Sequence, residues 1–444
     1  MSAVQSLIAA HRKGENVGLY SICSSNEQVL LASMQVARRY DTVLLIEATS
    51  NQVDQFGGYT GMNPVQFRAY VETLAREHGF PADRLILGGD HLGPNAWQKL
   101  PAEQAMAHAR DLIAAYVAAG FHKIHLDCSM SCAGDPHPLP DEIVAARSAE
   151  LARVAERTAA DAGLPPPVYV IGTEVPVPGG EASLEGGLAV TTPAAAARTL
   201  DIHRQAFSTP DLAPAWERVI ALVVQPGVDF DHSQVHGYDP AAATALSDFV
   251  EGQPRIVFEA HSTDYQTEVA LHALVRDHFA ILKVGPAATF AYREALFALA
   301  AIEDELLPEA ERSQLPEMLD RCMVEKPKHW QNHYSGDPAK LRLLRRYALS
   351  DRCRYYWGEP EVKAAVDRLV ANLRRHAPPM ILLSQFLPEQ QRAIEAGTLT
   401  ADPLALIQHR IALRLGEYAR ACARNQAGSR SGNETSAASA LSER

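Results

Sequence analysis

Eight short apolar runs, each closing on small or polar residues and followed by a stretch of helical character, set the tightest limit on how this chain can fold. The runs are Val17–Cys23, Thr42–Glu47, Leu85–Pro94, Lys123–Ser129, Val168–Glu174, Val219–Pro226, Arg255–His261 and Phe279–Pro286. Their length and their richness in Val, Ile and Leu predict buried strands. Between them Pro64–His78, Ala102–Ala119, Pro140–Ala162, Pro193–Phe207, Pro240–Phe249 and Tyr265–Asp277 read as helices, several opening on Pro or after a Ser, Thr or Asp cap. Strand–helix alternation implies parallel pairing, and eight repeats favour closure into a (β/α)8 TIM barrel over the alternative of an open, doubly wound α/β sheet.

Past residue 291 the strand pattern stops. Tyr292–Leu307, Ala339–Tyr347, Glu361–Arg375, Pro388–Ala396 and Pro403–Ala423 read as helices joined by Pro-rich turns. The expected organisation is a barrel over 1–290, an α-helical C-terminal extension over 291–424, and a tail over 425–444 whose Ser, Ala, Asn and Gly predict disorder. The chain has 444 residues and a formal charge of −12, which argues against nucleic acid or an anionic membrane surface as partner but leaves room for an anionic substrate at a local site. No apolar run approaches the ~20 residues that span a bilayer, and no apolar signal segment follows Met1. The cysteines Cys23, Cys128, Cys132, Cys322, Cys353 and Cys422 show no Cys-x-x-Cys spacing, as expected of reduced thiols in a cytoplasmic protein. A homo-oligomer is compatible with this composition.

Polar residues stand at the C-terminal ends of nearly all the runs: Glu47, Asp90, His91, Asp127, Glu174, Gln225, Glu259, His261 and Lys283. That end of a barrel carries the active site, whereas interior positions are normally branched and apolar. Any one of these residues is as readily a solvated loop residue; nine together point to a site.

His91, Glu174, His232 and His261 form the candidate metal set. Imidazole and carboxylate suit zinc, with manganese the alternative, and an incomplete protein shell leaves positions for substrate oxygens. His236 competes with His232, and His329 with His333 makes a weaker i,i+4 pair. Asp90, next to His91, is the leading candidate for general acid/base work, with Asp127 and Glu47 behind it. Lys283 fits electrostatic stabilisation better than a Schiff base, since a metal already offers an electron sink. Gln225, Glu259, Ser262, Lys283, Thr289 and Arg293 are candidate substrate contacts; Ser262, Thr263, Thr289 and Arg293 follow the last two strands, where barrels often bind phosphate. There is no Gly-x-x-x-x-Gly-Lys-[Ser/Thr] and no Gly-x-Gly-x-x-Gly opening a helix, which weighs against a P-loop kinase and a dinucleotide-dependent oxidoreductase.

At several of these residues the sequence resembles a known family. Leu45–Met62, Gly88–Asn95, His125–Cys132, Ile171–Gly180, Phe258–Gln266 and Ile281–Pro286 are similar to the GatZ/KbaZ subunit family of D-tagatose-1,6-bisphosphate aldolase, over roughly residues 1 to 425. The resemblance implies one of two roles. One is a non-catalytic subunit that stabilises a class II aldolase subunit. The other is catalysis as a 4-epimerase of D-tagatose and D-fructose or their 6-phosphates. A more distant similarity to metal-dependent class II aldolases implies that Asp90-His91 is an acid/base-plus-ligand pair. By the same comparison Glu174 and His261 are ligands, and His232 falls near the remaining one. Ser262-Thr263-Asp264 stands where those enzymes have glycines.

The favoured expectation is a metal-dependent ketose 4-epimerase. The C4 hydrogen of a 2-ketose is not acidic, and oxidation at C4 would need a nicotinamide site. Retro-aldol cleavage between C3 and C4, rotation of the aldehyde and re-addition avoid both problems. The rivals are the stabilising subunit and a full aldolase acting on tagatose 1,6-bisphosphate, which needs two phosphate sites.

Overall fold

A computed structural model describes residues 2–173 and 188–424. Eight parallel strands close on themselves: Leu19–Ile22, Leu44–Thr49, Leu85–Leu92, Lys123–Leu126, Val168–Ile171, Val219–Val224, Val257–Ala260 and Ile281–Val284. The eighth pairs with the first, Leu19 opposite Ile281 through Ile22 opposite Val284, so the sheet is a barrel and has no edge. One element escaped the sequence reading. After the sixth strand, Asp229–Phe230 and Val235–His236 form a small antiparallel pair.

Inside the barrel, side chains alternate inward and outward along each strand. The layer nearest the strand starts is apolar: Leu19, Leu45, Ile86, Val257 and Ile281 pack with Val4 and Ile8 of the N-terminal helix Ala3–Arg12, which plugs that end. The next inward positions break the rule for barrels, because Ser21, Glu47, Lys123, Glu259 and Lys283 occupy them and all are buried.

The helices beyond residue 291 play two parts. Helix Pro403–Cys422 lies against both Glu27–Arg39 and Glu268–Arg276, and so completes the outer ring of the barrel. Gly18 allows this approach: its N–H donates to the Cys422 carbonyl at 3.0 Å, and a Cβ there would stand 3.0 Å from the Ala280 carbonyl oxygen. Helix Pro286–Leu306, which follows the last strand, packs on the outside of that closing helix. The intervening chain sends a one-turn segment, Arg352–Tyr356, to the mouth of the barrel. Among the described residues no helix is long and apolar enough to cross a membrane.

Candidate functional site

The third strand makes room for a buried charge network. Gly88 sits in register between Glu47 and Lys123, and a Cβ on it would come within 2.7 Å of Glu47 Oε1. With no side chain there, Lys123 Nζ reaches Glu47 Oε1 at 2.8 Å and Glu259 Oε2 at 2.6 Å. Lys283 Nζ lies 2.5 Å from Glu47 Oε2, 2.9 Å from Asp90 Oδ1 and 3.8 Å from Glu259 Oε1. Ser21 Oγ donates to Glu47 Oε2 at 2.5 Å. Charges removed from water persist only when paired and hydrogen-bonded in this way.

One layer higher, the strand end departs from regular geometry. Neighbouring residues in a strand point to opposite faces. The register between the third and fourth strands shifts between Gly89 and Leu92, and His91 has φ +49°, which lets both Asp90 and His91 line the mouth. Gly93 follows because a Cβ would stand 1.8 Å from the Asp127 carbonyl oxygen.

Three imidazoles meet here. Ring centroids are 4.8 Å apart for His91–His261 and 5.2 Å for both His91–His125 and His125–His261. Asp127 Oδ2 accepts from His91 Nδ1 at 2.8 Å, and Ser129 Oγ donates to Asp127 Oδ1 at 2.6 Å. His125 Nδ1 lies 2.9 Å from Asp90 Oδ1, and His261 Nε2 lies 3.0 Å from Glu259 Oε1. Asp90 Oδ1 is thus engaged by Lys283 and His125, while among the described residues Oδ2 accepts from Cys23 Sγ and lies near His91 Nε2, both at 3.7 Å.

Asp90, His125, Glu259 and His261 offer ligand atoms within 4.8 Å of one another, and all four are buried. The donor set fits a divalent cation. Among the described residues His125 Nε2 is buried without a hydrogen-bond partner, the state of a nitrogen that a metal would complete. Four carboxylates (Glu47, Asp90, Asp127, Glu259) face two ammonium groups (Lys123, Lys283), and the excess negative charge favours a dication. The His91–Asp127 contact is the arrangement by which proteins orient a ligating imidazole.

Burial opposes charge throughout this cluster. At Asp90 it is outweighed by His91, Lys283, His125 and His261, which hold the carboxyl well below the usual carboxylate range. At Glu259 it is outweighed by Lys123, Lys283 and His261. Burial also works against the Lys283 ammonium, but Asp90, Cys23, Glu47 and Glu259 hold its pKa well above that of a free lysine. At His261 burial prevails over Glu259 and Asp90 and brings the imidazole to about 4, so it is neutral at pH 7.

Of the residues the sequence singled out, Asp90, His91, His261, Ser262 and Lys283 line one recess at the mouth. Glu47, Asp127 and Glu259 stand behind them as partners of Lys123, His91 and His261. His232 is drawn elsewhere. Its Nδ1 meets Ser350 Oγ and its Nε2 the His333 carbonyl, both at 2.9 Å, so both nitrogens serve to anchor the C-terminal region. His236 is exposed on the hairpin, and Gln225 Oε1 accepts from the N–H groups of Gly227 and Val228 to shape its own turn. Thr289 and Arg293 both bond Asp351. His329 stacks on Tyr355, and His333 Nδ1 accepts from Arg352. Glu174 lies outside the described residues.

Lys123 and His125 were missed as site residues. The signal was present: Lys123, His125 and Asp127 alternate with Ile124 and Leu126, and polar groups every second residue in a buried strand share one face. That face is the barrel interior.

The D-tagatose-1,6-bisphosphate aldolase subunit GatZ/KbaZ-like family model matches residues 4–423. Among solved structures, a probable tagatose 6 phosphate kinase from Sinorhizobium meliloti 1021 is 46% identical with a TM-score of 0.84, covering 91% of this chain and 100% of its own. The YdjI aldolase from Escherichia coli K12 aligns at 11% identity and a TM-score of 0.41, over 85% of this chain and 97% of its own. Fructose-bisphosphate aldolase from Campylobacter jejuni aligns at 11% and 0.46, over 85% and 94%.

Proposed function

The chain belongs to the GatZ/KbaZ-like family of D-tagatose-1,6-bisphosphate aldolase subunits, and from that premise we propose that it is itself catalytic, a metal-dependent 4-epimerase of D-tagatose and D-fructose or their 6-phosphates. The observation that carries this reading is Asp90 Oδ2. Asp90 lines the recess with His91 and His261, and among the described residues its Oδ2 has only the longer contacts with Cys23 Sγ and His91 Nε2, both at 3.7 Å, while Oδ1 is pinned by Lys283 and His125. A carboxylate held ionised and open on one side is placed to accept a proton.

His125, His261 and Glu259, with His91 beside them, would hold the cation; Glu174 remains a further candidate ligand. A divalent ion there supplies electrophilic stabilisation of the charge that develops at the C2 carbonyl when the C3–C4 bond breaks. Asp90 Oδ2 takes the C4 hydroxyl proton as that bond cleaves, giving an aldehyde at C4 and an enediolate over C2 and C3. The aldehyde turns its other face, C3 adds to it, and Asp90 returns the proton to the new C4 oxygen. Lys283, anchored by three carboxylates, keeps Asp90 in place and is not free to act as an amine nucleophile. Asp127 fixes the His91 ring, and the recess walls retain the aldehyde until it re-adds.

The same geometry weighs against the stabilising-subunit role, because a network of four buried carboxylates is costly to keep without a use. The test is to supply the isolated, zinc- or manganese-loaded protein with D-tagatose 6-phosphate, free D-fructose and tagatose 1,6-bisphosphate, with and without chelator. Formation of a chelator-sensitive 4-epimer supports the reading. Triose phosphates would assign aldolase activity instead. Silence relieved only by adding a class II aldolase subunit would assign the stabilising role.

A further inference from the structure

Among the described residues that line the recess, Lys283 and Arg354 carry fixed positive charge. Lys283 is held by three carboxylates. Arg354 differs: its guanidinium donates to the Ser350 carbonyl at 2.5 Å, the Asp351 carbonyl at 3.1 Å and Tyr355 Oη at 2.9 Å, all neutral acceptors. Its guanidinium carbon stands 4.5 Å from the centre of the Tyr355 ring. The side chain is thus oriented by neutral acceptors, with the Asp351 and Asp264 carboxylates close enough to act on its charge but not hydrogen-bonded to it among the described residues.

The positions where a barrel of this type usually seats phosphate are filled by the protein's own carboxylates. Asp264 Oδ1 accepts from the N–H groups of Gly285 and Ala287, at 3.0 and 2.7 Å, at the start of helix Pro286–Leu306. Asp351 occupies Thr289 and Arg293: its Oδ2 accepts from Thr289 Oγ1 at 2.6 Å, and its Oδ1 lies 3.2 Å from Arg293 Nε. These bonds do a different job. With φ +44° at Asp351, they clamp the segment that carries Arg354 across the barrel mouth, helped by Tyr265 Oη donating to the Leu349 carbonyl and by Leu349 N–H donating to the His232 carbonyl at 2.9 Å.

We propose that Arg354 binds the terminal phosphate of a ketose phosphate whose C2–C4 end lies at Asp90, His91 and His261; this rests on the ketose reading above. A guanidinium presents paired donors that match phosphate oxygens, and here it reaches the same recess from the C-terminal region of the chain. Arg354 is therefore a specificity-determining contact, distant in sequence from the barrel strands. Thr289, Arg293 and His232 act behind it as positioning residues.

The test compares the wild type with Arg354→Gln and Arg354→Lys, all metal-loaded, by calorimetric titration with D-tagatose 6-phosphate, D-tagatose and inorganic phosphate. The Gln variant is expected to lose roughly tenfold to hundredfold in affinity for the phosphate ester relative to the free ketose, with Lys recovering part of it. Where turnover is measured, the loss falls on KM for the ester more than on kcat. Equal weakening toward ester and free ketose, or an unchanged affinity for the ester, overturns the proposal. Should Arg354→Gln fail to fold, Arg354→Lys carries the comparison, because a point charge reproduces only part of the fork. Ester binding that depends on Arg354 without epimerisation would sink the catalytic reading and leave this one standing. Epimerisation of free ketose with no measurable binding of the ester would do the reverse.

Discussion

Asp127 Oδ2 lies 2.8 Å from Nδ1 of His91, and this one contact decides what the imidazole presents to the recess. Burial opposes charge on His91, but Asp90 and Asp127 outweigh it and raise the imidazole's pKa, so a cation binding at Nε2 would take the proton's place while Asp127 holds Nδ1.

Asp127→Asn should therefore act through His91. Metal affinity, read by competition with a chromophoric chelator, is expected to fall roughly tenfold to hundredfold while the fold persists. Were Asp127 the proton carrier itself, turnover would collapse with metal affinity unchanged.

Lys283 is the hub of the network, joined to Glu47, Asp90 and Glu259. Replacing it by Met strands three buried carboxylates, and the loss of stability in urea unfolding should be about 3–5 kcal/mol. As an anchored ammonium it is expected to make no Schiff base. Borohydride treatment with substrate present should leave the protein's mass unchanged, and a reduced adduct at Lys283 would contradict the assignment.

Gly88→Ala tests the row that the third strand leaves open. The new Cβ would stand 2.7 Å from Glu47 Oε1, so the Glu47–Lys123 pair must give way. A destabilisation of about 1–3 kcal/mol is expected, read as a lower urea midpoint. An unchanged midpoint would show that the row tolerates a side chain.

Away from the site, His203 reports acid stability. It is fully buried on helix Pro193–Ala206, with Nδ1 donating to the Thr199 carbonyl, and burial brings its pKa to about 4. The folded state keeps it neutral, while the unfolded chain protonates it below about 6.5. Its contribution is complete above that pH and is lost as pH falls from 6.5 toward 4. Between pH 7 and 5 it should cost about 2 kcal/mol. His203→Phe should flatten that part of the pH–stability profile, and a profile unchanged by the substitution would refute the assignment.

The strands were legible because apolar runs bounded by Gly and Pro have few other readings, and the polar strand ends because buried strands do not carry them without cause. Lys123 and His125 are less conspicuous because they sit inside the fourth run, four and two positions before Asp127, where only alternation puts them on the same face. The displacement of His232 could not be read locally: it depends on Ser350 and His333, more than 100 residues away. The same holds for helix Pro403–Cys422 and for Arg354, which local periodicity identified only as helical or as loop. Their places at the barrel wall and mouth depend on contacts such as Gly18–Cys422 and Thr289–Asp351.

In the proposed mechanism C4 is inverted by breaking and remaking the C3–C4 bond, with Asp90 moving only the hydroxyl proton. Its most direct test is to incubate the metal-loaded protein with D-tagatose 6-phosphate in D2O and examine the product by proton NMR. The expected product is D-fructose 6-phosphate that retains its hydrogen at C4. Deuterium at C4, or no epimer from the metal-loaded protein, would contradict it.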